Sequence, residues 1–321
     1  MFYPLELLAN WLTLSVFRIA PETHLADSLI FFIADVLKIF ILLLVIIFIV
    51  SYIRTFLAPE KVRLFLAKKN ILTAHILASL IGIVTPFCSC SAIPLFLGFV
   101  EAGVPLGVTF SFLISSPMIN EVALVLLFGL FGWKIALLYV LSGLIIAIVS
   151  GLIIGRMKAE NLVADFVWKN KLKENPVDIK KLSKKERADY SLKYSFDIIK
   201  RVWPFILVGV GLGAWIHGYI PANFLAQYAG ADKWYAVPLV VLIGMPLYSN
   251  AAGIIPLLGA LTEKGVAIGT VLAFMMSVTA LSLPEFLILK KVMKVKLIVI
   301  FASIVGLGII LTGFLFNFIL K

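Results

Sequence analysis

Long apolar runs are the feature that most constrains the fold of this chain. The runs IFILLLVIIFIV (39–50) and IALLYVLSGLIIAIVSGLIIG (135–155) carry no charged residue. At 1.5 Å per helical residue, such runs are long enough, or nearly so, to cross about 30 Å of hydrocarbon. A membrane β-barrel would need alternating apolar and polar residues instead. The chain is therefore predicted to be an all-α, multi-pass protein of the cell membrane.

The basic residues indicate how the chain is oriented in the membrane. The net charge is +11, although only 14% of the residues are charged. Many of the cations lie between 156 and 201, which separates two apolar regions. A short basic loop of this kind is cytoplasmic by the positive-inside rule, and contact with anionic lipids is a further expectation. We expect no nucleic-acid partner.

The N-terminal segment, 1–30, is expected to lie at the membrane surface. Its sequence LELLANWLTLSVF (5–17) is typical of an interfacial amphipathic helix. The segment lacks a basic region followed by a small-residue cleavage site, so we do not expect a cleaved signal peptide.

Sparse polar residues and glycines recur along the chain at an offset of 162. Apolar matches would carry little weight because both halves are apolar, but polar and glycine matches at one offset are hard to obtain by chance. We predict membrane repeats at 31–156 and 197–321, joined by a basic cytoplasmic loop at 157–196. The matches include Asp35 and Asp197, Gly82 and Gly244, Gly107 and Gly269, Ser115 and Ser277, and Gly151 and Gly313.

The charges also predict that the two repeats are inverted. The first helix of repeat 1 is followed by Arg54, Lys61 and Arg63, whereas the first helix of repeat 2 is preceded by the basic loop. Inverted repeats need an odd number of spans each. We therefore predict three transmembrane helices per repeat, one of them broken, plus a re-entrant helical hairpin. Four full spans per repeat in parallel orientation are the alternative.

The third apolar stretch of each repeat, 104–131 and 266–289, is the predicted hairpin. Arms of about 17 Å reach half-way through a bilayer, and irregular backbone is tolerated there if it lines a cavity. The polar residues that would lie at the tips are Ser115, Ser116, Asn120 and Glu121 in repeat 1, and Ser277 and Glu285 in repeat 2.

The two cysteines of the chain, Cys88 and Cys90, lie in the segment TPFCSCSAIP (85–94). Pro86 lacks an N–H group and disfavours helix at the residue before it, so the helix should stop near Val84 and restart near Ala92. In extended backbone, residues two apart point to the same side, and both sulfur atoms can then reach one ligand atom.

Three interpretations of the two thiols are open. They can form a strained disulfide, pack as small apolar side chains, or bind a soft ligand, which we favour. A zinc site is not expected, because no histidine or acid lies nearby in sequence. Repeat 2 carries GMPLYSNAAG (244–253) at the same place, so Tyr248, Ser249 and Asn250 would face the thiols across the site.

The acids at the predicted tips are candidates for proton coupling. A charged side chain at the bilayer centre costs about 2.5–3.5 kcal/mol on insertion scales, which makes Glu121 and Glu285 functional candidates. The alternative is that either carboxylate stabilises the N-terminus of a broken helix. We assign no role to His24, His75 or His217.

The motif TPFCSCSAIP, followed by SSPMINE (115–121), resembles the signature of the ArsP-type permease family. The characterised members are efflux permeases for trivalent organoarsenicals. The resemblance implies that Cys88 and Cys90 belong to the substrate path and hold arsenic(III) as a soft ligand. It also implies that Pro86, Ser89 and Ser91 support the helix break.

The function that follows is efflux of a thiophilic small molecule by alternating access, without enzymatic activity and without a cofactor. No Walker A sequence is present, so the energy would come from a proton gradient or the substrate gradient. The alternatives are transport of another soft metal or sulfur species, and a membrane thiol oxidoreductase. The candidate substrate-binding residues are Pro86, Cys88, Ser89, Cys90, Ser91, Ser115, Ser116, Asn120, Tyr248, Ser249, Asn250 and Ser277.

The inverted orientation can be tested by labelling single cysteines introduced as Ala102→Cys and Lys264→Cys in a variant without Cys88 and Cys90. Inverted repeats place these equivalent turns on opposite sides of the membrane. We expect a membrane-impermeant maleimide to reach one from outside intact cells and the other only in everted vesicles. Labelling of both from the same side would contradict inversion.

Overall fold

The structure, a computed structural model, describes residues 3–21, 23–54, 70–84, 89–101, 103–157, 159–164, 183–219, 233–247, 254, 258–259, 261–262 and 265–320. Helices dominate these ranges, which confirms the predicted all-α fold. They are α1 (Tyr3–Trp11), α2 (His24–Arg54), α3 (Ile71–Val84), α4 (Ser89–Glu101), α5 (Leu106–Met118), α6 (Glu121–Phe131), α7 (Trp133–Arg156), α8 (Lys184–Tyr219), α9 (Ala236–Gly244), α10 (Ile268–Ala280), α11 (Leu283–Leu289) and α12 (Val295–Ile319).

Several of these segments are suited to crossing a membrane. By length and composition, α7, α12 and the segment Ile268–Leu289 each qualify, and α5 with α6 adds a fourth if this bent pair is one span. Large apolar side chains of α7 and α12 are exposed, among them Ile145 and Leu311. In contrast, α5 is buried over its whole length. The fold is therefore a multi-pass bundle with α5 at its centre.

Helices α5 and α6 together run antiparallel to α7. At one end, a Cβ atom on Gly107 would lie 2.5 Å from the carbonyl oxygen of Gly151 in α7. Further along, the Tyr139 hydroxyl donates to the carbonyl oxygen of Met118 (2.9 Å). Helix α6 then ends at Phe131, directly before α7 begins at Trp133. The two helices thus form one broken span.

The prediction of a re-entrant hairpin at 104–131 is wrong. Helices α5 and α6 meet at an angle of 49°, which redirects the chain but does not reverse it. In the second half, α10 and α11 likewise lie in one segment long enough to span. Between α5 and α6, Asn120 caps the start of α6 instead of forming a tip.

The second stretch consists of two helices, α3 and α4, which both pack against α5. Helix α3 runs parallel to α5, because His75 contacts Ser111 while Gly82, further along α3, lies against Ser116. Helix α4 packs against α5 through edge-on ring contacts of Phe96 with Phe110 and of Phe99 with Phe112 (centroids 5.2 Å apart in each pair). In sequence, the cysteine motif therefore lies where α3 ends and α4 begins.

The local structure of the first half recurs in the second half at the offset of 162. Gly103 and Gly265 have φ angles of 81° and 82°, and their N–H groups donate to Val100 and Thr262 at 3.0 Å each. A Cβ atom on Gly269 would lie 2.5 Å from the Gly313 carbonyl oxygen, as for Gly107 and Gly151. Ser277 lies beside Gly244 as Ser115 lies beside Gly82.

The equivalent helices α7 and α12 run in opposite directions. The segment after α7 is hydrogen-bonded to the start of α12, because Ala164 N–H donates to Val292 O (2.8 Å) and Lys294 N–H donates to Leu162 O (2.7 Å). The end of α7 and the start of α12 thus lie at one end of the bundle. An inverted repeat requires this of the pair; the inversion of the complete repeats stays a prediction.

Two boundaries differ from those expected. Helix α2 begins at His24, within the predicted surface segment, and α1 is tied to it by an ion pair of Lys38 Nζ with Glu6 Oε1 (2.9 Å). Helix α8 begins at Lys184, within the predicted basic loop.

A capping box starts α8 early. The backbone N–H of Ser183 donates to the Glu186 carboxylate (2.7 Å), and the N–H of Glu186 donates to the Ser183 hydroxyl (3.3 Å). These bonds, chiefly the one from the Ser183 backbone, lower the pKa of Glu186, which lies outside the apolar part of the helix.

The close approach of α5 and α7 predicts that Gly107→Ala destabilises the protein by about 1–3 kcal/mol, a typical cost of overpacking. The added methyl group would meet backbone atoms of Gly151 and Gly155, which cannot rotate away. The matched control is Gly129→Ala in α6, where a Cβ atom meets nothing within 4 Å. Thermal unfolding in detergent should show a lower Tm for the first variant only. Equal Tm values would contradict this packing.

Candidate functional site

The candidate site is the central region around the two described helix breaks, which separate α5 from α6 and α10 from α11. Ile119 lies against Gly143 near the middle of α7, and Leu281 lies against Gly306 near the middle of α12. These two breaks therefore lie at mid-depth of the spanning helices. Helix α5 packs against α10, and α4, which begins at the cysteine motif, packs against α11.

The cysteine motif joins α3 to α4. Helix α3 ends at Val84, as expected, but α4 restarts at Ser89 and not near Ala92. Cys90 is thus in the first turn of a helix, so the expectation of extended backbone through the motif is wrong at this residue. Pro86 and Cys88 lie outside the described residues, as do the side chains of Ser89, Cys90 and Ser91.

Because Cys90 lies in the first turn of α4, the motif includes the N-terminus of a helix. The N–H groups in the first turn of a helix have no intrahelical partner and point toward the break. They carry the positive end of the helix dipole, which favours negative charge. Buried Ala92, Ile93 and Phe96 hold α4 in the core. The first turn of α4 therefore brings backbone donors to the cysteine motif.

Asn120 caps the restart of the broken span. Its side-chain oxygen accepts a hydrogen bond from the backbone N–H of Ala123 (2.7 Å), and its amide nitrogen donates to the carbonyl oxygen of Pro117 (3.3 Å). Both ends of the side chain are thus used to hold the break. Glu121 is the first residue of α6, and its side chain lies outside the described part of the chain.

Ser115, Ser116 and Ser277 lie within helices and are fully buried, not at hairpin tips. The Ser277 hydroxyl donates to the carbonyl oxygen of Val241 (2.6 Å) and so joins α10 to α9. The Ser115 hydroxyl donates within its own helix to Phe112 (3.2 Å), facing Gly82 of α3. These serines lie near the breaks, and their hydroxyl groups contribute to helix packing.

Glu285 is the acid that the structure describes at a break. It is the third residue of α11 and its side chain is 0% exposed. A carboxylate in the first turn of a helix is favoured by the dipole. An ionisable side chain buried at membrane depth is nevertheless a candidate for function.

The predicted site residues of repeat 2 that follow α9 lie outside the described part of the chain. Tyr248, Ser249 and Asn250 lie outside the described residues, so the wall opposite the cysteines does too. Within the described ranges, no group of three or more histidine, cysteine or acidic residues is placed to hold a metal ion.

One buried polar pair was missed by the sequence analysis. His75 Nδ1 lies 2.7 Å from the hydroxyl oxygen of Ser111, in the contact of α3 with α5. The signal was available in the sequence, because at the offset of 162 these two residues correspond to Val237 and Ala273. The first half is polar where the second half is apolar.

Comparison with known proteins identifies the family. Residues 24–318 match the family ArsP_1, described as a predicted permease. A UPF0718 protein of Methanocaldococcus jannaschii is 25% identical over 301 residues, covering 74% of this chain and 82% of that protein. A protein of Streptococcus mutans, named as a candidate subunit of a two-component membrane permease complex, is 25% identical over 268 residues (81% of this chain, 85% of that protein). No solved structure matches. The matched region includes every helix from α2 to α11 and most of α12, so the chain belongs to the ArsP_1 family of predicted permeases.

Proposed function

We propose that this permease exports trivalent organoarsenicals by alternating access, with Cys88 and Cys90 binding arsenic at mid-membrane. Family membership supports membrane transport as the class of function. The observation that carries the proposal is the change from α3, which ends at Val84, to α4, which begins at Ser89, at the cysteine motif. Irregular backbone at membrane depth is tolerated where it is buried in protein or lines a cavity, which supports a site at a helix break.

The chemistry of the thiols fits a monosubstituted arsenical. Such a compound in water carries two exchangeable hydroxide groups on arsenic(III). Each sulfur–arsenic bond forms as one hydroxide leaves together with the thiol proton as water, so no oxidant or reductant is needed. Release is the reverse exchange. Two thiols hold the substrate less completely than a three-thiol cage would, which favours release on the far side.

The other candidate residues have two different roles in this proposal. Tyr248, Ser249 and Asn250 would form the wall that faces the cysteines from the second repeat. Ser115, Ser116, Asn120 and Ser277 would keep the breaks in position, as their hydrogen bonds and burial support. Pro86, Ser89 and Ser91 would support the helix break at the cysteine motif.

The thiol hypothesis is tested with the double variant Cys88→Ser, Cys90→Ser in everted vesicles supplied with methylarsenite. We expect uptake to fall to the level of vesicles without the protein, because serine oxygen does not replace sulfur as a soft ligand. Gly129→Ala in α6, where a Cβ atom meets nothing within 4 Å, is the control. Unchanged uptake by the double variant would refute the thiol site.

The same assay distinguishes the alternatives. Transport of thiosulfate or of a soft metal ion without transport of methylarsenite would reassign the substrate. Thiol oxidation or reduction without any solute flux would indicate an oxidoreductase.

We further propose that Glu121 and Glu285 couple transport to protons, and the burial of Glu285 supports this. Glu285→Gln keeps the size of the side chain but removes the exchangeable charge. We expect this variant to lose transport driven by a pH gradient and to retain downhill transport, measured in proteoliposomes. Retention of pH-driven transport at the wild-type rate would remove Glu285 from the mechanism.

A further inference from the structure

We propose that His75 is a proton-binding site of this permease, and that the hydroxyl groups of Ser79 and Ser111 extend it toward the cysteine motif. His75 lies on α3, the helix that leads to the cysteine motif, and is 1% exposed. It lies well away from the helix breaks. The proposal does not depend on which substrate the permease carries.

The hydrogen bonds of His75 determine which ring nitrogen can take up a proton. The Ser111 hydroxyl donates to the carbonyl oxygen of Ala147 in α7 (2.9 Å). Serine has a single hydroxyl hydrogen, so its contact with His75 Nδ1 at 2.7 Å requires Nδ1 to be the donor. Nε2 is then the unprotonated nitrogen. Histidine is the side chain whose ordinary titration lies nearest neutral pH.

The second half of the molecule shows that the pair is not needed for packing. A Cβ atom on Gly151 would lie 2.9 Å from His75 Nδ1, and next to the Ser111 hydroxyl. At the equivalent place, a Cβ atom on Gly313 would lie 2.6 Å from Val237 and 2.8 Å from Ala273. The same contact of three helices is thus made by apolar side chains. A buried polar pair often gives no more stability than an apolar pair of similar size, so its presence in one half points to another role.

Ser79 supplies an independent observation on the same helix face. It follows His75 by one turn, is 0% exposed, and its hydroxyl has no hydrogen-bond partner among the described residues. Leaving a buried hydroxyl unsatisfied costs about 1–3 kcal/mol. Its equivalent in the second half is Val241. An unpaired hydroxyl group beside the His75–Ser111 pair is suited to bind a water molecule or to relay a proton in another state of the cycle.

The polar residues of α3 lie on one helix face that leads toward the cysteine motif. Residues spaced by four and seven lie on one helix face, so His75, Ser79 and Gly82 all face α5. Beyond Ser79, Gly82 lies against Ser115. Helix α3 rises about 14 Å between His75 and Val84 at 1.5 Å per residue. A short polar path thus joins His75 to the segment that holds the cysteines.

Among the described residues packed against His75, no group would compensate a second proton. Helices α3 and α5 carry no other ionisable side chain. On α7, the other packed helix, the ionisable residues are Lys134, Tyr139 and Arg156. Tyr139 bonds at the far end of α5, and Arg156, beyond Gly151, is itself a cation. A doubly protonated His75 would therefore favour a state in which water reaches the contact of α3 with α5. Taking up a proton from water and returning it would bias α3 between two positions against α5.

The decisive variant is His75→Val with Ser111→Ala, which installs the pair found in the second half. We expect it to fold with a Tm close to that of the wild type, since Val237 and Ala273 pack in the same way. In proteoliposomes with methylarsenite as the probe, it should lose the acceleration by a pH gradient and retain downhill flux. His75→Asn, which keeps a donor toward Ser111 but cannot take up a proton, should behave alike. His24→Asn, at the exposed start of α2, should leave the acceleration unchanged.

A second measurement needs no substrate. Nitrogen-15 spectra of histidine-labelled protein in detergent should contain one signal that titrates between about pH 5 and pH 8 and is missing from the His75→Asn variant. A His75 signal that does not titrate overturns the proposal, as does pH acceleration that survives in both His75 variants. If the wild type carries no methylarsenite, the proposed substrate fails, and the titration alone decides the proton site.

Discussion

The fold depends on the close approach of helix backbones at paired glycines. Gly107 meets Gly151 where α5 crosses α7, and Gly269 meets Gly313 where α10 crosses α12. Small residues allow helices to pack closely in lipid, where no hydrophobic force drives them together. These contacts set the depth of each broken span against its neighbour. The positions of these two crossings therefore determine the depth at which the helix breaks lie.

On this frame, the two halves are similar in backbone and different in chemistry. The turns, the glycine contacts and the serine at each broken span recur at one offset. The cysteines, His75, Ser79 and Ser111 occur in the first half alone. A transporter of this kind needs two halves that can rearrange around a central site, but the site itself need not be symmetric. The backbone features are therefore common to both halves, whereas the reactive side chains belong to the first half.

The polar residues at the breaks also fall into two groups. Asn120 and Ser277 are engaged with backbone groups, and their removal would expose unsatisfied N–H or C=O groups to an apolar interior. Glu285 lies in the first turn of α11, and the cysteine motif lies in sequence where α3 ends and α4 begins. Proximity to a break alone does not distinguish the two groups, whereas hydrogen-bond partners do.

The sequence by itself determined the membrane class, the family signature, the repeat and the positions of the breaks, because each depends on local composition or spacing. It could not determine whether the third stretch continues across the membrane or turns back. A broken span and a re-entrant hairpin both need proline, serine or asparagine at mid-membrane, so their sequences look alike. Only the packing of α5 and α6 along α7 decides that the chain continues. The contact of His75 with Ser111 also became visible only in the packed structure, since it joins α3 to α5, which are separated in sequence by α4.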